Sequence, residues 1–289
     1  MGRKKNITVF GATGKIGSDL LQLLSQSKIE TVAVTRNIEN AIQLPFVRWI
    51  QADMSNKQSL FDTMKNSCSV FLLSGHSPDF VIEQNNVIEV AKELNIKHIV
   101  KLSSGAADKN SEFHIPKTHG EVEESLQLSG IHYTMLRPNG IMQNWLGDIA
   151  TEIKKERKFH EATGDGKRSH VDRRDIAEVA FKCLIEAEKH CDKIYFLTSD
   201  KAVSYHEIAE TISNAIKEKV EYVAISLEEA RLEMKRKGMP HALIETFISY
   251  DHAQRNGQTE TISDSVRTIL GKPARTLENF FNDYIHYFK

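Results

Sequence analysis

Three glycines in the run Gly11-Ala12-Thr13-Gly14-Lys15-Ile16-Gly17, together with Arg36, are the residues whose types and spacing point most directly to chemistry. Glycines at such intervals let a backbone turn tightly and bring its N–H groups against a pyrophosphate. Gly11 suits the turn, Gly14 the close approach, and Gly17 the contact between the following helix and the preceding strand. Arg36 stands about 20 residues further on, where a fold of this kind that prefers NAD carries Asp or Glu. A carboxylate there accepts from a ribose 2′-hydroxyl, whereas a guanidinium pairs with a 2′-phosphate through charge-assisted hydrogen bonds. The ligand expected is therefore NADP(H), with a solvated charge at the end of a strand as the other reading of Arg36. Lys15 is either a second positive charge on the phosphates or a solvent-facing lysine.

The elements that must position these residues are legible around them. Asn6-Ile7-Thr8-Val9-Phe10 reads as a strand ahead of the glycines, and Leu20, Leu21, Leu23 and Leu24 fall at helical spacing behind them. Residues 31–35 form a second, β-branched strand that ends at Arg36. Further strands follow at 46–53, 68–75, 98–105 and within 130–140, separated by helical patterns at 57–65, 79–94 and 116–129. This repetition predicts an α/β fold: a Rossmann-type, doubly wound parallel sheet with right-handed crossovers. Ligands of such sheets lie beyond the carboxyl ends of the strands. One crevice is thus expected to gather Gly11, Ala12, Thr13, Gly14, Lys15, Ile16 and Gly17 with Arg36, Asp53, Met54, Leu73, Ser74, Gly75, Ser103 and Ser104. Asp53 and Met54 would approach the adenine ring, and Asp53 would equally cap the helix that follows. Ser103 and Ser104 are either contacts at the nicotinamide end or ordinary turn formers.

At 289 residues, the chain is long enough to bury a sizeable core. Two parts are expected: an NADP(H)-binding core over residues 1–155 and a smaller, mainly C-terminal substrate lobe over 156–289, with some segments returning to the core. A net charge of −1 supplies neither a basic field for nucleic acid nor a polybasic membrane anchor. Three cysteines, Cys68, Cys183 and Cys191, are an odd number without C-x-x-C spacing, which suggests neither a disulfide framework nor a metal site. The basic Gly2-Arg3-Lys4-Lys5 leads at once into the first strand, with no apolar targeting run. A soluble, cytoplasmic protein, monomer or homodimer, is expected.

Taken together, GATGKIG, the strand-end Arg36, the run Gly130-Ile131-His132-Tyr133-Thr134-Met135-Leu136-Arg137-Pro138-Asn139-Gly140 and the later Gly164-Asp165-Gly166-Lys167 closely resemble the NmrA-like atypical short-chain dehydrogenases. Within them, the NADPH:quinone oxidoreductase and triphenylmethane reductase branch is the most similar, over residues from about Ile7 to Phe280. The resemblance implies NADP(H) as cofactor and hydride transfer to a small quinone-like acceptor. Many relatives shuttle a proton with a Tyr-x-x-x-Lys pair. None of the seven tyrosines here has a lysine four residues on, so alcohol dehydrogenation and sugar epimerisation lose their main support.

Counting back from Arg137, the place where many relatives carry that lysine holds His119, as it does in the quinone reductase branch. His119 is thereby implied to touch cofactor or substrate, as a neutral imidazole donating to a quinone oxygen or as an imidazolium protonating the developing anion. A surface histidine on an amphipathic helix is the other reading, and Lys117 is a nearby substitute. Asn139 is implied beside the nicotinamide. With Gly140, Met142 and Trp145 it would form an apolar acceptor pocket, although Met142 and Trp145 read equally well as helix core.

Beyond this, strands are expected at 194–198 and 220–225. Helices are expected at 176–187 with Asp175 as N-cap, at 204–216 with Ser204 and Glu207 in capping-box register, and at 227–237, 240–254 and 276–288. Two other functions compete with the reductase: a non-catalytic NADP-binding redox sensor of NmrA type, which would also lack the tyrosine-lysine pair, and a nucleotide-sugar epimerase.

Overall fold

A computed structural model describes residues 6–289, so the basic run Gly2–Lys5 lies outside the described residues. In chain order the elements begin with β1 (Asn6–Val9), α1 (Lys15–Gln26), β2 (Thr31–Thr35), β3 (Val47–Gln51), α2 (Lys57–Met64), β4 (Ser67–Leu72), α3 (Phe80–Glu93), β5 (His98–Leu102), α4 (His114–Leu128) and β6 (His132–Pro138). They continue with β7 (Gly140–Ile141), α5 (Asp148–Glu156), β8 (Lys158–Glu161), β9 (Arg168–Val171), α6 (Arg173–Ile185), α7 (Ala187–His190) and β10 (Lys193–Leu197). The last are β11 (Ala202–Val203), α8 (Tyr205–Ile216), β12 (Glu221–Ala224), α9 (Leu227–Arg236), α10 (His241–Arg255), α11 (Ser265–Leu270) and α12 (Leu277–Asp283).

The chain divides into two compact units. One comprises the described residues up to Ser111 with Pro116–Arg137 and Ile176–Phe196; the other comprises Glu112–Ile115, Pro138–Asp175 and Leu197–Lys289. Residues 138–155 therefore stand with the second unit, whereas the boundary expected from sequence falls at 155.

In the first unit a seven-stranded sheet runs in the order β10-β6-β5-β4-β1-β2-β3. The pairs β1·β2, β1·β4, β2·β3, β4·β5 and β5·β6 are all parallel. The order reverses between β1 and β4, the switch point at which doubly wound sheets open a crevice. Strands covered on both faces read as continuous apolar runs rather than alternating ones. β2 and β5 are accordingly buried along their whole length. Leu60, Met64, Val87, Ala91, Val122 and Leu126 close the core around Phe10, Val34, Val70 and Leu72. Each fully buried Val, Leu, Met or Phe among them contributes about 1.5–3 kcal/mol.

In the second unit β11-β9-β7 form a three-stranded sheet, and β12 pairs with β8 in parallel. Their core joins Met142, Trp145, Ile149 and Ile153 to the inner faces of α8 and α12. The expected capping box at Ser204 and Glu207 is present at the start of α8. The helix expected over 276–288 ends earlier, at Asp283, and the chain finishes in a 3-10 turn over Ile285–Tyr287. No helix of the described residues is long and apolar enough to cross a membrane.

Candidate functional site

At the carboxyl ends of β1 to β4 the first unit opens a cleft of about 560 Å³, in the range of small-molecule sites. Of the residues predicted to meet there, Gly11, Thr13, Gly14, Arg36, Asp53, Met54, Leu73, Ser74 and Gly75 line it. Ala12 is buried in the turn beneath, Ile16 and Gly17 are buried in the first turn of α1, and Lys15 is exposed at the first position of that helix.

The turn has the construction its glycines require. Gly11 has a φ of +66°, and a Cβ there would lie 2.8 Å from Leu73 Cγ, so only glycine fits both the conformation and the space. A Cβ on Gly17 would overlap the Gly11 carbonyl, and its absence lets α1 start directly against the turn. Gly14, extended at φ −75°, is the N-cap of α1 and offers no capping side chain. The first-turn N–H groups are therefore left for an incoming anion, where the helix dipole favours negative charge.

Arg36 follows the last residue of β2 and is exposed on the cleft wall. Its backbone carbonyl accepts from Gln51 Nε2 at 3.1 Å, while its guanidinium forms no hydrogen bond or ion pair with another described residue. Asp53 combines the two roles expected of it in altered form. It lines the cleft, and its Oδ1 accepts from Ser55 N and Ser55 Oγ, both at 2.8 Å. Those bonds, with the nearby Arg36 charge a lesser contribution, hold its carboxyl below the usual range. The cap of α2 is instead Asn56, whose Oδ1 accepts from Ser59 N.

His119 is not the surface histidine that residue type suggests. It lies on the inner side of α4, 7% exposed, with Nδ1 3.2 Å from Lys101 Nζ. Its ring meets His76 edge-on at 5.1 Å between centroids and Phe80 at 4.9 Å, and His76 is itself a wall of the cleft. Burial, then the Lys101 and His76 charges, hold its pKa far below the ordinary histidine value. These influences favour the neutral imidazole over the imidazolium. Lys117 is exposed on the same helix. Arg137 holds Glu123 of α4 through two hydrogen bonds, one of them 3.0 Å from Nε to Oε1, and so ties the end of β6 to that helix. Ser103 is buried, and Ser104 Oγ accepts from Ala106 N at 3.3 Å as a turn former does.

Sequence reasoning passed over Lys101, His76, Ser77 and Glu83. Lys101 had a signal: a lone lysine within the otherwise apolar run Ile99-Val100-Lys101-Leu102 of β5. The others sit in the β4–α3 loop or on the first turn of α3, brought to the cleft only by the tertiary path of the chain.

The residues expected to form the acceptor pocket belong to the second unit. Asn139 is fully engaged there: its Nδ2 donates to Ser169 Oγ at 2.8 Å and to the Thr259 carbonyl at 3.1 Å, and its Oδ1 accepts from Arg168 Nε. Gly140 lies against the His170 ring, which a Cβ would overlap. Met142 is fully buried and Trp145 is 3% exposed, the indole stacked on Phe281 and edge-on to Phe280. The core reading of these two side chains, open from their spacing, is the one the structure takes. A side chain without solvent contact presents no wall to an acceptor.

The model of the NmrA-like family matches residues 3–281 of this chain. An NAD(P)H azoreductase of Xenophilus azovorans is 32% identical over 276 residues, covering 95% of this chain and 96% of that protein. The crystal structure of an NADPH-dependent quinone oxidoreductase of Escherichia coli, complexed with NADPH, superposes with a TM-score of 0.87 at 27% identity over 96% of this chain and 99% of that one. The Citrobacter sp. triphenylmethane reductase, solved with NADP(H), shares the fold with a TM-score of 0.82 at 24% identity, covering 95% and 98% of the two chains.

Proposed function

The chain belongs to the NmrA-like family, and on that premise we propose that it is an NADPH-dependent oxidoreductase that passes hydride to a quinone or similar conjugated acceptor. The observation that carries the reading is the cleft at the switch point, lined at once by Gly11, Thr13 and Gly14 of the turn that opens α1 and by Arg36 at the end of β2. A dinucleotide carrying a 2′-phosphate needs both: backbone donors for its pyrophosphate and a cation at the end of β2. Thr13 and Gly14 would hold the diphosphate, Arg36 the 2′-phosphate, Asp53 and Met54 the adenine side, and Leu73, Ser74 and Gly75 the path toward the reacting end. Bound there, the cofactor supplies a hydride. His119, neutral and next to the His76 wall, supplies an N–H donor to the oxygen or nitrogen of the acceptor on which charge develops.

The azoreductase and quinone oxidoreductase relatives support an acceptor that takes two electrons and needs only modest proton assistance. The absence of a Tyr-x-x-x-Lys pair agrees with this reading, because such acceptors do not require a tyrosinate base. The test is steady-state oxidation of NADPH against a panel of quinones and azo compounds. Turnover with at least one member is expected, and tight NADPH binding without turnover across the panel would replace the enzyme by a nucleotide sensor. UDP-sugar binding without NADPH consumption would favour the epimerase.

A further inference from the structure

Among the described residues Lys101 is the one fully buried lysine, and its surroundings are unusual for an ammonium. It sits in β5, whose residues are all buried, and its Nζ meets the Leu102 carbonyl at 3.3 Å, the Phe80 ring at 5.6 Å and His119 Nδ1 at 3.2 Å. No carboxylate lies within ion-pair distance of it among the described residues. A strand that needed only packing would carry an aliphatic side chain here, as Ile99 does two residues earlier on the same face. An ammonium has donors and no acceptor, so toward Lys101 the His119 Nδ1 must accept, which leaves the ring proton on Nε2.

We propose that Lys101 is a positioning residue for His119: its ammonium fixes the imidazole as the Nε2–H tautomer and replaces the proton that His119 gives to the reduced acceptor. The inference rests on the hydride-transfer reading above. Hydride arrival leaves an anion on the acceptor. An acceptor–H bond then forms as the Nε2–H bond breaks, and an Nδ1–H bond forms as one Nζ–H bond breaks, leaving a neutral amine. The pair resets when Nε2 takes a proton from water and the Nδ1 proton returns to the amine. No oxidant or reductant beyond the hydride donor and its acceptor is required.

The groups packed on this pair favour such a cycle. Burial lowers the Lys101 pKa to about 7, and the opposing influence is Glu123 of α4, itself held by Arg137 of β6. His76 from the β4–α3 loop faces His119, and α3 contributes the Phe80 ring. An amine that titrates near neutrality both gives and regains a proton readily. The folded pKa lies below the unfolded one, so the unfolded chain binds more protons between about 7 and 10.5, and stability rises with pH across that window. The destabilising contribution of Lys101 is complete below about pH 7 and gone above about 10.5.

The experiment compares the full chain with Lys101→Met and Lys101→Arg in three readouts. With NADPH and any acceptor that is turned over, wild-type kcat should decline as pH rises through about 7. Lys101→Met should lower kcat about tenfold or more and abolish that inflection while leaving the KM for NADPH within about twofold. Lys101→Arg, which stays charged but does not give up a proton, should keep the Nε2–H tautomer of His119, lose the inflection and lose kcat about as far as Lys101→Met does. Lys101→Met should also raise Tm at about pH 6 and leave it nearly unchanged at about pH 10, because the change removes a buried charge only where that charge exists. A purely structural lysine would lower Tm at both values. In histidine labelled with 15N, wild-type His119 should carry its proton on Nε2, and Lys101→Met should release a mixture of tautomers. Wild-type kcat and inflection in Lys101→Met, or an Nδ1–H tautomer in the wild type, overturns the proposal. If no acceptor is reduced, the hydride-transfer reading fails, while the tautomer and Tm measurements still decide whether Lys101 governs His119.

Discussion

Arg36 and Lys101 are cations of the same unit held in opposite surroundings. Arg36 is exposed on the wall of the cleft, with its guanidinium uncommitted to any described side chain; Lys101 is sealed in the middle of the sheet against an imidazole, a carbonyl and an aromatic ring. An exposed guanidinium remains charged at every physiological pH and contributes little until a phosphate arrives. A buried amine loses its hydration, so its protonation becomes a property of the fold. On the proposed reading, the mouth of the cleft recognises a fixed charge and the interior beside it moves a proton. That division matches the two demands of hydride transfer from a phosphorylated dinucleotide, and each half can be broken separately.

The largest effect is expected at the mouth. Arg36→Glu removes a charge-assisted pair worth about 1.5–3 kcal/mol and places like charges together, so the ratio of kcat/KM for NADPH over NADH should fall by roughly 10²-fold or more. The loss should appear in KM for NADPH, with NADH turnover kept or improved. An unchanged ratio would show that the exposed cation reads nothing, and the contrast with Lys101 would collapse.

The interior should answer in the other kinetic constant. His119→Ala should reduce kcat by about 10- to 100-fold, with the KM for NADPH within about twofold, because a donor used only as charge develops contributes to the transition state rather than to binding. A variant that lost NADPH affinity instead would make His119 a cofactor contact and join the two regions into one.

How much of this was legible in advance follows the same division. The strand-turn-helix at Gly11–Gly17 and the placement of Arg36 depend on local rules, φ at a turn and the fixed distance between β1 and the end of β2, and sequence spacing reports both. The buried pair depends on β5 and α4 meeting across 18 residues of chain, and no periodicity relates Lys101 to His119. His119 itself was found only by resemblance. Its burial was hidden because α4 buries a mixed set, including Thr118, His119 and Glu123, that reads as polar. Caps show the same limit. Ser204 was legible because its partner Glu207 lies three residues on, whereas Asp175, expected to cap α6, instead accepts from Arg275 N, and Asp172 accepts from Arg174 N at the start of that helix. A side chain recruited by a residue 100 positions away leaves no local trace.

The smallest effect is expected where the mouth touches a purely structural device. Asp53 lines the cleft beside Arg36, so by position alone its removal should matter to the cofactor. Yet its carboxylate is already committed to Ser55 N and Ser55 Oγ, and those two bonds are the main cause of its lowered pKa. Because that pKa lies below the unfolded value, the stabilisation is present above about pH 4 and is lost as the carboxyl protonates on acidification. An amide oxygen can accept the same two bonds without a charge. Asp53→Asn should therefore shift Tm by no more than about 2 °C near neutral pH and change the KM for NADPH by less than about threefold. A larger rise in KM, confined to NADPH and absent with NADH, would mean that Asp53 orients Arg36 toward the 2′-phosphate. In that event the exposed cation would be positioned by its neighbour much as His119 is positioned by the buried one.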